Sequence, residues 1–518
     1  MDTNKKIQLI EQYIGKRLLG YVLNLSDDYL HVQSLNDVAL SEQQTEVVDV
    51  LAKTIQECRI QHVVNGGFGD CVDYYLKSLK SGEESFYNQL RKHCNGKLPF
   101  YESNDELLKF LYSICVREYP NLLLKQSRNS FNVGLNINIG LSDYESFISL
   151  VKGDILNKIT NEKDGFEYAF TFKTIDGIEF YTQVCTACSI IVSRSFQNAC
   201  NKMSYSLNDV IREVDLNISI LRNLAEGNEV EYSSFIGVKG AKFDGFHEIE
   251  LGSSCLRQID HLSNPSPHTN SIVVQHTNAE ERYISGHIFD VKHKTKLAEV
   301  DADKIYAVNK KVYDVQEKAL DSLKLALVFA LKEDRGIAAG FSESGFPLNQ
   351  PGNYSIGDQR PGKYLTITLD QVGSIQEWFH RFYSTDLECI NVPLKRLKYA
   401  IFERSHAEDA IVDAIISWEG MFSEAFETSF KVTGSISKYL ATTEERESFL
   451  NRLKKLYGLR SDLVHGKRSK FMNNENMDEL RSEVIAIGID AITKLLADEK
   501  LLKLTPAERV KEILIMRK

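Results

Sequence analysis

A chain of 518 residues, 43% hydrophobic and 26% charged, has the composition of ordinary globular protein and the length of about three domains. No apolar run approaches the roughly 18 residues of a spanning helix, and the N-terminal MDTNKKIQLIEQYIGKRLLG has charges among its apolar positions. These features exclude a signal peptide or anchor and predict a cytoplasmic protein with no membrane contact; nine scattered cysteines, an odd number, point the same way, to reduced thiols.

The first 160 or so residues read mostly as helix. Lys5 to Leu19, Ser41 to Cys58, Asp70 to Leu79, Ser85 to Cys94 and Asn104 to Glu118 carry apolar residues at mixed spacings of three and four. Asn65 to Asp70, NGGFGD, lacks the lysine and the glycine spacing of a phosphate loop, so it reads as a turn.

From Gly165 to about residue 390 the texture is that of a β-rich middle domain. Phe170 to Ile175 and Ile178 to Val184 flank Asp176-Gly177, a strong hairpin signal. A helix is predicted at Ser206 to Leu224, then strands at Glu229 to Val238, His247 to Leu251, Ser271 to His276 and Arg282 to Phe289. Cys185 and Cys188 have no second pair to complete a zinc site and read as buried thiols at a strand end. Six of the twelve histidines lie between His247 and His293, but their spacings give no ligand pattern, so no metal is predicted. A helix at Val312 to Lys332 precedes Gly336 to Gly362, whose Gly, Pro, Ser and Asn content predicts an exposed loop or linker. Tyr364 to Leu369 reads as a strand and Gln371 to Tyr383 as a helix.

The remainder, 391 to 518, reads as an all-helical bundle: Pro393 to Arg404, Glu408 to Phe426, Thr443 to His465, Met477 to Leu496 and Pro506 to Met516. Thr442 with Glu445, and Asn476 with Glu479, have the spacing of capping boxes. Two charges sit on apolar stripes. Arg460 fills a gap in the stripe of Phe449, Leu453, Leu456 and Leu463, and Glu419 lies between Ile415 and Phe422. A buried carboxylate is costly unless paired, so Glu419 and Arg460 are expected to be partners. His465 follows in the last turn, before Gly466 as the C-terminal cap. On pattern alone, this stretch also fits an amphipathic helix with a snorkelling arginine and a histidine at the carbonyl end of the dipole.

Charge is divided along the chain. Residues 391 to 518 hold 22 Lys and Arg against 20 Asp and Glu, leaving −12 of the net −10 on residues 1 to 390. Between Asn451 and Lys470, seven basic residues, Lys467, Arg468 and Lys470 among them, face Asp462 alone, which predicts a confined RNA contact rather than broad duplex binding.

The run Leu456-Tyr457-Gly458-Leu459-Arg460-Ser461-Asp462-Leu463-Val464-His465-Gly466 resembles the motif of the HEPN superfamily, in particular its Apea-like branch, in which Leu-Tyr-x-x-Arg-Ser-x-x-Val-His-Gly closes a helix. The resemblance covers about Pro393 to Lys503. Trp418-Glu419-Gly420-Met421-Phe422 looks like the Leu-Glu-x-Leu segment of that branch, from which Gly420 and Met421 depart. Ser461 stands where the superfamily often has Asn, Asp or His. The resemblance implies an α+β protein ending in a HEPN-like bundle, and a metal-independent endoribonuclease without cofactor, in which the RNA 2′-OH attacks the adjacent phosphate. Arg460 and His465 would be catalytic, with Glu419, Ser461, Asp462 and Tyr457 in support and Lys467, Arg468 and Lys470 on the RNA. The chemistry suits these residue types, since His exchanges protons near neutral pH and Arg presents a permanent planar charge to phosphate. Arg460 and His465 are separated by about 7.5 Å of helix rise and about 140° of rotation, so they converge poorly within one chain. That geometry and the family's two-fold cleft predict a homodimer through the C-terminal domain. A role in bacterial antiviral defence (abortive infection) or as a toxin follows from the same resemblance, with residues 1 to 390 sensing a phage or cellular trigger. The alternative is a non-catalytic HEPN module that dimerises or binds a nucleotide.

Overall fold

Gly15 adopts φ 83°, a value that is cheap only without a Cβ, and it breaks the first predicted helix into α1 (Thr3–Ile14) and α2 (Lys16–Val22). The computed structural model describes residues 2–26, 39–64, 75–76, 79–81, 84–124, 137, 139–163, 166–176, 179–259, 274–278, 281–298, 305–349, 354–355, 365–385, 387–423, 428–466 and 476–516. The fold is α+β. Among the described residues, no helix is long and apolar enough to cross a membrane.

The chain folds into two units. One comprises Met1–Val238, Ser253–Gln316 and Ala339–Ile356; the other comprises Lys239–Gly252, Glu317–Ala338 and Gly357–Lys518. The divisions near residues 160 and 390 expected from sequence texture do not coincide with these boundaries.

In the first unit, α1 and α2 are followed by α3 (Glu42–Val64), α4 (Phe86–His93), α5 (Glu106–Leu123) and α6 (Leu141–Gly153). The 65–70 turn and most of the Asp70 to Leu79 helix lie outside the described residues. The hairpin forms as β2 (Phe166–Lys173) with β3 (Glu179–Gln183), and β1 (Thr160–Lys163) joins β2 on its other edge. Cys185 and Cys188 do not sit at a strand end: they open α7 (Val184–Asn201), a helix the sequence reading missed, and Cys188 is fully buried. Almost every side of α7 is covered, so its sequence shows no apolar stripe. The helix α8 (Leu207–Ala225) starts as expected, with Ser206 and Asp209 closing a capping box.

The larger sheet of this unit has the order β8-β7-β4-β6-β5, where β4 is Val230–Lys239, β5 Ser254–Gln258, β6 His287–Thr295, β7 Ala338–Ser344 and β8 Tyr354–Ser355. Val274–Asn278 and Glu281–Ser285 form a separate hairpin. The expectation of an exposed loop at Gly336 to Gly362 is overturned over its described part: β7 lies within the sheet, and Phe341 and Phe346 are fully buried. Turn-forming composition there was overridden by the core, where Glu343 is also buried and accepts from Arg194 at 3.1 Å and Gln197 at 3.2 Å. His287 and His293 are buried on β6, and His293 stacks on Tyr232 at 5.2 Å.

The second unit is mainly helical. The latter part of α9 (Ile305–Leu331) and α10 (Val372–Ser384) contribute Val328, Phe329 and Phe382 to the same core as the C-terminal helices. Those are α11 (Asn391–Lys398), α12 (Ala407–Phe422), α13 (Thr428–Leu440), α14 (Arg446–Val464), α15 (Met477–Ala497) and α16 (Pro506–Lys511). Leu365–Thr368 pairs in parallel with Ala241–Asp244 in this unit. The helix α13 was not foreseen. Its TGSIS stretch consists of weak helix formers, yet Thr433, Ser435 and Ser437 are buried and Gly434 admits Leu514 to within 3.7 Å of where a Cβ would stand.

Candidate functional site

The site is built on α12 and α14, and the residues between its charges explain the placement. On α12, Ala414, Ile415, Trp418, Met421 and Phe422 are all fully buried, so this helix runs through the bundle core. Gly420 packs closely, since a Cβ there would stand 3.1 Å from the Pro393 ring. Deep in the same helix, Asp413 accepts from Arg396 at 2.8 Å and Arg404 at 2.5 Å. On α14 the buried residues are Leu453, Leu456 and Leu459. Phe449 and Leu463, expected on the inner stripe, are only partly buried.

This phase leaves Glu419 and Arg460 at the edge of the core, with side chains 20% and 27% exposed. They meet as expected, but loosely: Arg460 Nη2 donates to Glu419 Oε2 at 3.5 Å. The tighter partner is Tyr457, one turn earlier on α14, whose hydroxyl donates to Glu419 Oε1 at 2.6 Å. Burial pushes the Tyr457 phenol above its ordinary range, and the Glu419 carboxylate adds to the shift while Arg460 opposes it. The Nε of Arg460 is buried and has no hydrogen-bond partner among the described residues.

α14 ends one residue earlier than expected, and His465 is its C-cap. The His465 backbone N–H donates to the Ser461 carbonyl at 3.1 Å, and Gly466 turns the chain away with φ 62°. His465 is exposed, while Ser461 and Asp462 are half-buried on the last turn and take no part in the Tyr457, Glu419 and Arg460 set. Lys467, Arg468 and Lys470 lie outside the described residues. At the other end of α14, Thr442 Oγ1 and Glu445 Oε2 are 3.0 Å apart, but Glu445 caps no backbone N–H and the helix begins at Arg446. At the start of α15 Asn476 caps the helix by accepting from the backbone of Asp478, but among the described hydrogen bonds Glu479 does not complete the expected box.

One residue that supports the site had no signal in the sequence. Arg509 is fully buried on α16 and donates to the carbonyls of Leu501 at 2.9 Å, Leu502 at 2.8 Å, Cys389 at 3.3 Å and Met421 at 3.5 Å. Through Met421 it holds the end of α12 two residues beyond Glu419. The arrangement thus places a cation, loosely paired with Glu419 at the core edge, on a helix that delivers a solvent-facing imidazole at its end. Among the described residues, no group of three or more His, Cys, Asp or Glu side chains is placed to hold a metal. Compared with protein-family models, with curated proteins and with solved structures, the chain matches none.

Proposed function

We propose that the C-terminal bundle is a HEPN-like endoribonuclease of the Apea-like kind. The observation that carries this reading is Arg460 held at the core edge by Glu419, on the helix that ends at an exposed His465. In the proposed reaction the 2′-OH oxygen bonds to phosphorus and the P–O5′ bond breaks, leaving a cyclic phosphate and a free 5′-OH. His465 exchanges the proton that moves between these oxygens, and the Arg460 guanidinium faces the charge that builds on the phosphate. RNA is the substrate, and the acidic residues 1 to 390 regulate the activity in response to a phage or cellular trigger. An effector of bacterial antiviral defence or a toxin is the biological role that fits.

A second reading, a non-catalytic dimerisation or nucleotide-binding module, draws on the fact that Arg460 already has a carboxylate partner. Pure protein incubated with total RNA in EDTA, beside the Arg460→Ala/His465→Ala double variant, separates the two. Cleavage by the parent and none by the variant is expected; no cleavage by either favours the second reading. The proposed homodimer adds a further check. If each site draws one residue from each chain, mixing Arg460→Ala with His465→Ala under subunit exchange restores activity, whereas a monomer active at assay concentration removes the shared site.

A further inference from the structure

The helix α7 begins directly after β3, and its start carries the pair Cys185 and Cys188. Residues three apart on a helix share a face, with Cα atoms about 5 Å apart. That spacing lies inside the roughly 4.4–6.8 Å over which a disulfide joins two Cα atoms, so the two sulfurs can bond with little more than side-chain rotation. Both are free thiols. Among the described residues, no third ligand is placed to make the pair a metal site.

The two thiols differ in access. Cys188 is fully buried, whereas Cys185 is half-buried next to the exposed Thr186, and its thiol donates to Gln183 Oε1 at 3.6 Å. Neither a side-chain cap nor an acidic residue occupies the first turn of α7, so the partial positive charge of the helix start is left for an anion that forms there. Burial pushes the Cys188 thiol up, with Cys115 and Asp143 adding to the shift and Arg117 opposing it. A reachable thiol at a helix start, with a covered thiol behind it on the same face, is the arrangement of an attacking and a resolving sulfur.

We propose that Cys185 and Cys188 form a redox-active dithiol that exchanges with a small disulfide of the glutathione class. The pair lies in the first unit and shares no residue with the proposed nuclease site. The Cys185 sulfur, as thiolate, attacks one sulfur of the small disulfide; the bond between its sulfurs breaks, and one thiolate leaves and takes up the proton that Cys185 gave up. The Cys188 sulfur then loses its proton and attacks Cys185, forming the internal disulfide and releasing the second small thiolate, which takes that proton. The protein gives up two electrons and two protons, and the small disulfide gains them as two thiols.

The test incubates the full chain, reduced and freed of reductant, with oxidised glutathione at neutral pH; samples are quenched with acid, alkylated and digested with trypsin for mass spectrometry. The peptide Thr174 to Arg194 carries both cysteines and no other. In the parent the internal disulfide, a peptide lighter by two hydrogens, should become the main form, and an excess of reduced glutathione should restore both thiols. Cys188→Ala should stop at a glutathione adduct on Cys185, and Cys185→Ser should leave Cys188 unmodified, with near-ultraviolet circular dichroism showing that both variants are folded. If Cys188→Ala does not fold, the internal disulfide in the folded parent decides by itself. No internal disulfide in the folded parent, a bond from either cysteine to Cys115 in its place, a disulfide that excess reduced glutathione cannot open, or glutathione on Cys188 of the Cys185→Ser protein would each overturn the proposal.

Discussion

Tyr457 donates its hydroxyl hydrogen to Oε1 of Glu419 over 2.6 Å, tying α14 to α12 by a bond to a partly buried carboxylate. Phe at position 457 keeps the ring and removes the bond, which should cost about 1–2 kcal/mol, seen as a lower urea midpoint at unchanged slope. Glu419→Ala also strands Arg460, and its cost should be larger, about 2–3 kcal/mol after allowance for the exposure of both groups. Glu419→Gln can still accept from Tyr457 and should sit within about 1 kcal/mol of the parent. Equal midpoints for all four proteins would mean that the carboxylate does not hold the helices together.

His465→Ala should leave stability within about 0.5 kcal/mol of the parent, because the side chain is exposed at a helix end. RNA cleavage should nonetheless be lost. A variant that cuts RNA at the parental rate would remove His465 from the proposed chemistry.

Acidification should weaken the first unit through β6. Unfolded, His287 and His293 titrate at the ordinary value of 6.5; folded, burial lowers them to about 3 and about 4, with Asp176 and Asp290 partly offsetting the effect at His293. The unfolded chain therefore takes up protons first. Stability is full above pH 6.5 and falls as pH drops toward about 4 for His293 and about 3 for His287, by about 2 kcal/mol per histidine at pH 5. His293→Phe preserves the stack on Tyr232 and should reduce the difference between urea midpoints at pH 7 and pH 5. A midpoint equal or higher at pH 5 in the parent would contradict this account.

A fragment beginning at Asn391, which looks like a complete bundle in the sequence, should fail to fold. It lacks Val328, Phe329 and Phe382, which pack with Ile411, Leu453 and Val484 in one core. Circular dichroism and thermal melting of residues 391–518 should give partial helix and no cooperative transition, while a cooperative melt would show that the missing side chains are dispensable. If residues 1 to 390 restrain the proposed nuclease, substitutions within the whole chain are the way to release it.

The sequence was most readable where local chemistry decides the structure. Ser206 and Pro506 stand at the starts of helices predicted to begin there, Asn476 caps α15, and Asp176 lies between two strands that pair. The meeting of Glu419 with Arg460 could be read because a charge on an apolar stripe needs a partner. Elements decided by tertiary burial were not readable. The helix α7 is covered on nearly every side, α13 has weak helix formers that fit a tight space, and β7 begins inside a glycine-rich stretch. Arg509 was hidden for a different reason: its partners are four backbone carbonyls, which leave no trace in side-chain spacing.

The interleaving of the two units along the chain sets an order for their birth on the ribosome. The first unit has all its pieces once residue 356 has emerged, although residues 239–252 and 317–338 of the second have already passed and must wait. The second cannot close its core until α15 has followed, and α12 is not pinned until Arg509 arrives. A nascent chain interrupted before that point would lack the Arg509 contact with Met421, on the helix that carries Glu419, the carboxylate beside Arg460.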